Sequence, residues 1–289
     1  LFLQNKYGTL REEKLPERIS PPCNREAWEW LLGLGAGPNK STIIDPLLDT
    51  AWALGTPFNN YCPMGDGGRC AAGCVAIAAA QIMKYWNHPS LGTGSHSYWW
   101  DGDGSIPGRT LSATFSDSYD WGNMLNSYSG SYNNAQAAAV AELCYEVGVA
   151  FEMDYGYWGS GAWPYHGLTA FPKYFKYKDS IALESRRNYA SADDWFERIK
   201  EELNASSPRP MMYTISDTDF CHEIVCDGYW EDEIDYIHMN YGWAGSYDNW
   251  YAVDNLYCLD GCDYLKEYML CGIEPNHPPS TPSAPKGPD

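Results

Sequence analysis

Apolar residues along this chain follow a helical repeat in its first two thirds and a twofold alternation later. Between 70 and 86, Val75, Ala78, Ala79, Ile82 and Trp86 recur at helical spacing, and an alanine run lets other segments approach closely. This predicts a central, mostly buried helix. Residues 133–151 give a second helix, with Val140, Leu143, Cys144 and Val147 on its apolar stripe. A third runs over about 191–204 and opens on Ser191, with Asp194 three residues on as a capping signal. Beyond it, 210–215, 222–229, 236–241, 250–253 and 265–273 read as strands. Helices first and strands after predict an α+β fold with an antiparallel sheet.

The remaining stretches set the organisation. Residues 26–34 predict a short apolar helix, followed by an exposed Gly-Ala-Gly-Pro-Asn-Lys-Ser loop of the kind proteases cut. Residues 87–132, rich in Gly, Ser, Asp, Tyr and Trp, read as irregular loops with short strands. Within them Asp101-Gly-Asp-Gly104 reads as a turn, because the later ligands of a calcium loop are missing. From Pro275 the Pro/Ser-rich tail reads as a linker that cannot pack a core. The chain thus divides into 1–42, 43–274 and 275–289.

Composition narrows the function classes. With 289 residues and 44% hydrophobic content the chain can build a substantial core, while a net charge of −19 argues against nucleic acid and anionic membrane surfaces as partners. No run of about 18 apolar residues exists, so membrane insertion is not expected. Ten cysteines suggest an oxidising compartment and a secreted or cell-surface protein. Cys62 with Cys70, and Cys258 with Cys262, could each close a short loop. Cys221 and Cys226 lie five apart on one strand and face opposite sides, and Cys144 is expected as a buried free thiol. No Cys-x-x-Cys pair exists and the histidine spacing does not suit zinc, so neither metal nor cofactor is expected.

Cys74 falls in the first turn of the central helix, after the flexible Gly73. There the unpaired N–H groups and the helix dipole favour a thiolate, which makes Cys74 a candidate nucleophile. A small buried residue, or half a disulfide, is the alternative. A nucleophilic cysteine needs a base, and of six histidines His222 stands out at the head of His-Glu-Ile-Val-Cys-Asp-Gly. A hairpin turn centred on Glu231 would set Asn240 opposite His222, within reach to orient its ring. Cys, His and Asn in this order, with about 148 residues between the first two, is a papain-like arrangement.

Several blocks in order carry a more specific resemblance: Pro57-Phe-Asn59, Gly73-Cys-Val-Ala76, Ala80-Gln-Ile-Met-Lys-Tyr85, Met153-Asp-Tyr-Gly156, Asp227-Gly228 and His238-Met-Asn-Tyr-Gly-Trp-Ala-Gly245. From about Ile43 to Glu274 the chain resembles the streptopain-type cysteine peptidases, a secreted bacterial branch of the papain-like group. That resemblance implies a two-lobed fold, a helical half beside a barrel-like antiparallel half, with the cleft between them. It implies a secreted endopeptidase with Cys74 as nucleophile, His222 as base and Asn240 as orienting amide. Trp243 would shield the site, and Met153, Tyr155, Gly156, Ser160 and Gly161 would shape the substrate cleft. Relatives favour an apolar residue two before the cut. Partners would be protein substrates and the chain's own propeptide, with 1–42 as its C-terminal remnant, cleaved between about 38 and 45.

Three departures stand out. Leu54 occupies the place where the family usually carries an oxyanion-donating Gln, which suggests a weak or inactive homologue kept for binding as the alternative. Tyr241 replaces the first Trp of the Asn-Trp-Gly-Trp run. Phe220-Cys221 replaces a Gly-Gly before the histidine, which is expected to narrow the cleft floor.

Overall fold

Alternation along the strands puts one side chain in two on each face of a sheet, and here both faces are covered. The computed structural model describes residues 42–216, 221–257 and 263–276. Its main sheet is antiparallel and seven-stranded. It is built from β1 (Thr42–Ile44), β6 (Ala182–Ser185), β7 (Met211–Ser216), β8 (Cys221–Glu231), β9 (Tyr236–Asn240), β10 (Asn249–Ala252) and β11 (Tyr268–Cys271). The order is β10-β9-β8-β7-β11-β6, with β1 paired to the far end of β8. Two short hairpins complete the strands: β2 (Met64–Gly65) with β3 (Gly68–Arg69), and β4 (Ser95–Asp103) with β5 (Ile106–Thr114).

One face of the main sheet presents Met212, Val225 and Leu270 to the helical lobe. That lobe contains α1 (Cys74–Trp86), α2 (Asn134–Ala150) and α3 (Gly167–Phe175). The other face presents Tyr213, Ile215, Ile224, Cys226, Ile237 and Met239 to α4 (Ala192–Leu203), which buries Trp195, Phe196, Ile199 and Leu203. The sheet is therefore the shared wall of two cores, and the expected α+β, papain-like two-lobed architecture is present. Helix α1 lies inside the helical lobe because its alanines permit it. Ala76, Ala78, Ala79 and Ala80 are all buried, and both α2 and β8 pack against α1.

The capping signals act as anticipated. The Ser191 hydroxyl accepts from the Asp194 N–H at the start of α4. Asn133 and Gln136 form a reciprocal capping box on α2, and such a cap contributes about 1 kcal/mol. Other expectations need correction. Residues 70–73 lie ahead of the helix, since Gly73 at φ 90° breaks the repeat and α1 starts at Cys74. The stretch 87–132 holds a regular hairpin of two nine-residue strands, β4–β5, which reverses at 104–105, so Asp101–Asp103 of the expected turn belong to β4. Helix α3 and strand β6 were not expected, the former because Pro172 interrupts its pattern. Cys62 and Cys70 are buried free thiols, so the loop they flank is closed by hydrogen bonds instead, Cys70 N–H to the Pro63 carbonyl at 2.9 Å among them. Cys144 is a buried free thiol on α2. Cys221 is exposed and Cys226 buried, as opposite faces of one strand require. Pro275, expected to open the linker, is instead buried and bridges Tyr177, while the 26–34 helix, the Cys258 and Cys262 loop and the rest of the tail from 277 lie outside the described residues.

Candidate active site

Cys74 is the first residue of α1, and Gly73 before it adopts φ 90°, a left-handed value that an L side chain resists. A Cβ at Gly73 would also stand 2.6 Å from the Met153 sulfur. The turn into α1 thus needs glycine for both conformation and space. The backbone N–H groups of Val75 and Glu223 donate to the Cys74 sulfur. One comes from the open helix end, the other from β8, which crosses it. His222 precedes Glu223 on the same strand, and Cys74 itself is half-buried.

The His222 ring is held on two sides. Its Nε2 lies 2.8 Å from the Tyr241 carbonyl oxygen, and its face stacks on Trp243 with centroids 4.5 Å apart. A carbonyl can only accept, so Nε2 carries the hydrogen and Nδ1 is left as the basic nitrogen. Burial pushes the His222 pKa down to about 4, partly offset by the Tyr241 carbonyl. Burial likewise pushes the Cys74 thiol up to about 12, with the Glu223 and Cys221 charges adding to it and the two N–H donors opposing. The helix end therefore does not by itself yield a thiolate. Burial thus opposes the charged form of both side chains, so an ion pair between them would need each charge to offset the other's desolvation.

Asn240 does not stand where the sequence suggested. The β8–β9 turn falls at 232–235 and a bulge interrupts the ladder between Cys226 and Gly228, so Asn240 pairs with Val225 rather than His222. Its amide is instead a knot behind the histidine. Oδ1 accepts from Gln81 Nε2 and from the Gly242 N–H, both at 3.0 Å, and Nδ2 donates to the Thr50 carbonyl at 2.7 Å. Gln81 in turn accepts from the Trp52 N–H. The network ties α1, the segment around Thr50 and the turn that presents Tyr241 and Trp243. Gln81 was quoted in the sequence only as part of a block. A buried amide on an otherwise alanine-rich helix was the signal for it.

The loop after α2 divides by burial. Met153 and Tyr155 are core side chains, Met153 beneath Gly73, so neither presents its side chain to solvent. Ser160 accepts from the Gly156 N–H and donates to the Ala71 carbonyl at 2.7 Å, which fastens the loop to the segment leading into Cys74. Gly161 is exposed and, with Asp154, Trp163, Tyr165, Thr214, Ser216 and Cys221, lines a groove of about 1100 Å³. This groove runs from the loop across the sheet to the residue beside His222. Leu54 is half-buried against the helical core, and its carbonyl accepts from the Ala72 N–H at 2.9 Å. The segment therefore flanks Cys74, but with an apolar side chain. Asn59 is held in the same loop, its Nδ2 donating to the Cys70 carbonyl and its Oδ1 accepting from the Thr56 hydroxyl.

A two-lobed α+β fold with a cysteine heading a buried helix and a histidine on the facing strand defines the papain-like cysteine peptidase class. The chain belongs to the peptidase C10 family, matched over residues 52–251. It is 31% identical over 238 residues to streptopain of Streptococcus pyogenes, covering 77% of this chain and 58% of streptopain. It is 32% identical over 241 residues to the thiol protease/hemagglutinin PrtT of Porphyromonas gingivalis, covering 80% of this chain and 26% of that protein. Among solved structures, active wild-type interpain A of Prevotella intermedia superposes with a TM-score of 0.72 at 32% identity, over 80% of this chain and 95% of that one. A mutant prointerpain A fragment superposes with a TM-score of 0.69, also at 32%, over 81% and 73%.

Proposed function

We propose that this chain is the catalytic unit of a secreted cysteine endopeptidase, made as a zymogen and hydrolysing peptide bonds in proteins. One observation supports the reading: the backbone of Glu223, the residue after His222, meets the sulfur of Cys74 at the start of α1. His222 Nδ1 takes the Cys74 proton as sulfur attacks the substrate carbonyl, and the resulting imidazolium returns it to the leaving amine. Water then attacks the thioester with His222 again as base. The Cys74 backbone N–H, free at the helix end, serves the developing oxyanion. Asn240 acts through the turn that holds Tyr241 and Trp243 on the ring. The acidic composition and the zymogen form of the interpain relative support secretion and a propeptide over 1–42. Leu54 motivates a second reading, a slow peptidase whose oxyanion site lacks one donor.

Limited alkylation with a thiol-directed epoxide, followed by peptide mapping, tests the assignment. Label should appear at Cys74 ahead of the exposed Cys221. His222→Ala should lower turnover of an unstructured protein substrate by about 10²–10⁴-fold, the usual contribution of a general base. Label confined to other cysteines, or a His222→Ala chain of undiminished activity, would sink the proposal.

A further inference from the structure

Glu223 follows the histidine, at a place where the strand is buried and a carboxylate is unexpected. Along β7, Met212, Thr214 and Ser216 share the face toward the helical lobe, and register sets Val225, Glu223 and Cys221 opposite them on the same face. Thr214, Ser216 and Cys221 line the groove. Glu223 lies between Cys221 and Val225 on that face and accepts from Thr214, so its carboxyl sits directly behind the residues that line the groove. It is 97% buried, with 3% of its surface exposed. One carboxyl oxygen, Oε2, accepts from the Thr214 hydroxyl at 2.7 Å, and the other, Oε1, has no hydrogen-bond partner. The same residue donates its backbone N–H to the Cys74 sulfur.

A buried carboxyl with an idle oxygen is costly unless something pairs with it. The cations nearest along the groove are committed elsewhere. Arg187 reaches the Leu265 carbonyl, and Lys266 pairs with Asp263. On the opposite wall stand two further acids, Glu152 and Asp154. Burial accordingly holds the Glu223 carboxyl up at about 8. A cation brought into the groove would supply the missing partner and favour the ionised form.

We infer that Glu223 is a specificity determinant, selecting substrates that place a lysine or arginine side chain in the groove beside Cys74. The inference rests on the peptidase reading and names the substrate class for it. It sets this chain apart from the apolar preference that its sequence resemblance implied. Thr214 orients the carboxyl, and the rings of Trp163 and Tyr165, stacked 6.1 Å apart at the groove wall, can cover the long aliphatic stem.

The test uses the full chain carrying Cys74→Ala, so that peptides bind without being cut. A blocked hexapeptide is scanned with arginine, then with its neutral near-isostere citrulline, at each position. One position should bind arginine at least about tenfold tighter than citrulline, a difference of about 1.4 kcal/mol. Glu223→Gln, which keeps the shape and the Thr214 contact, should erase that gap. Equal affinities at every position overturn the inference, as does a preference that survives in Glu223→Gln. The wild-type comparison decides alone if the variant misfolds. Epoxide labelling at Cys74 and turnover of a protein substrate are read separately, so a failed peptidase reading is told apart from a failed specificity.

Discussion

At the scale of single residues, the least conventional position beside the nucleophile is Leu54. Its backbone is fixed next to Ala72, two residues from Cys74, yet its side chain carries no donor. Asn59, the nearby polar side chain, is buried and donates one amide hydrogen to the Cys70 carbonyl. An oxyanion-hole donor is typically worth about 10²–10³ in kcat. Leu54→Gln should therefore raise kcat by up to about 10²-fold with little change in KM, because the new donor meets charge that exists only in the transition state. Steady-state kinetics on one peptide substrate check this, and an unchanged kcat would show that the hole is completed by another group. The place of Cys74 at the head of a helix was legible from the sequence because a helix end is a local signal. The Tyr241 carbonyl on Nε2 was not, since a backbone group carries no residue code. Met153 and Tyr155 lie in a glycine-rich loop whose composition reads as surface, yet both are buried by packing against α1 and the hairpin β4–β5.

At the scale of elements, strand β8 does most to assemble the site, and its bulge sets the geometry. Between Cys226 and Gly228 the register slips, Asp227 points inward, and its carboxyl joins two elements. Oδ1 meets His238 Nδ1 at 2.6 Å on β9, and Oδ2 accepts from the Leu48 N–H at 2.9 Å. The sequence predicted all five late strands but set the β8–β9 turn about two residues early. A one-residue bulge and a four-residue turn leave no mark in a twofold alternation. Burial would lower the His238 pKa, but the facing Asp227 charge outweighs it, and the net shift is upward. A histidine whose folded pKa lies above its ordinary 6.5 gives stability that is fully present below 6.5 and is lost as pH rises through the raised value. Thermal unfolding should therefore show His238→Asn most destabilised relative to wild type at pH near 5.5, with the gap narrowing toward pH 9. A gap that is constant or widens with pH would mean that the pair is not ionic in the folded chain.

At the scale of the whole molecule, the same Asp227 bond and β1 decide where a propeptide can be cut. Residues 42–44 form three register pairs with β8, Thr42 to Glu231, Ile43 to Trp230 and Ile44 to Tyr229. Just beyond, the Leu47 N–H donates to the Asp227 carbonyl and the Leu48 N–H to its carboxyl, each at 2.9 Å. A peptidase cleft takes its substrate extended with the backbone free, so any cut from 42 to 48 would first require stripping this strand from the sheet. Chain composition alone left a window of about 38–45, because a polar loop running into apolar residues does not say where pairing begins. Thr42 is already paired, so the mature chain should start at or before residue 42, in the 38–42 part of that window, and keep β1. N-terminal sequencing of the self-incubated protein reads this directly. The Cys74→Ala chain should stay intact alone and be cut at the same bond when active wild type is added. A mature terminus beyond Leu48 would show that β1 is expendable, and that the wall shared by the two cores is held without its first strand.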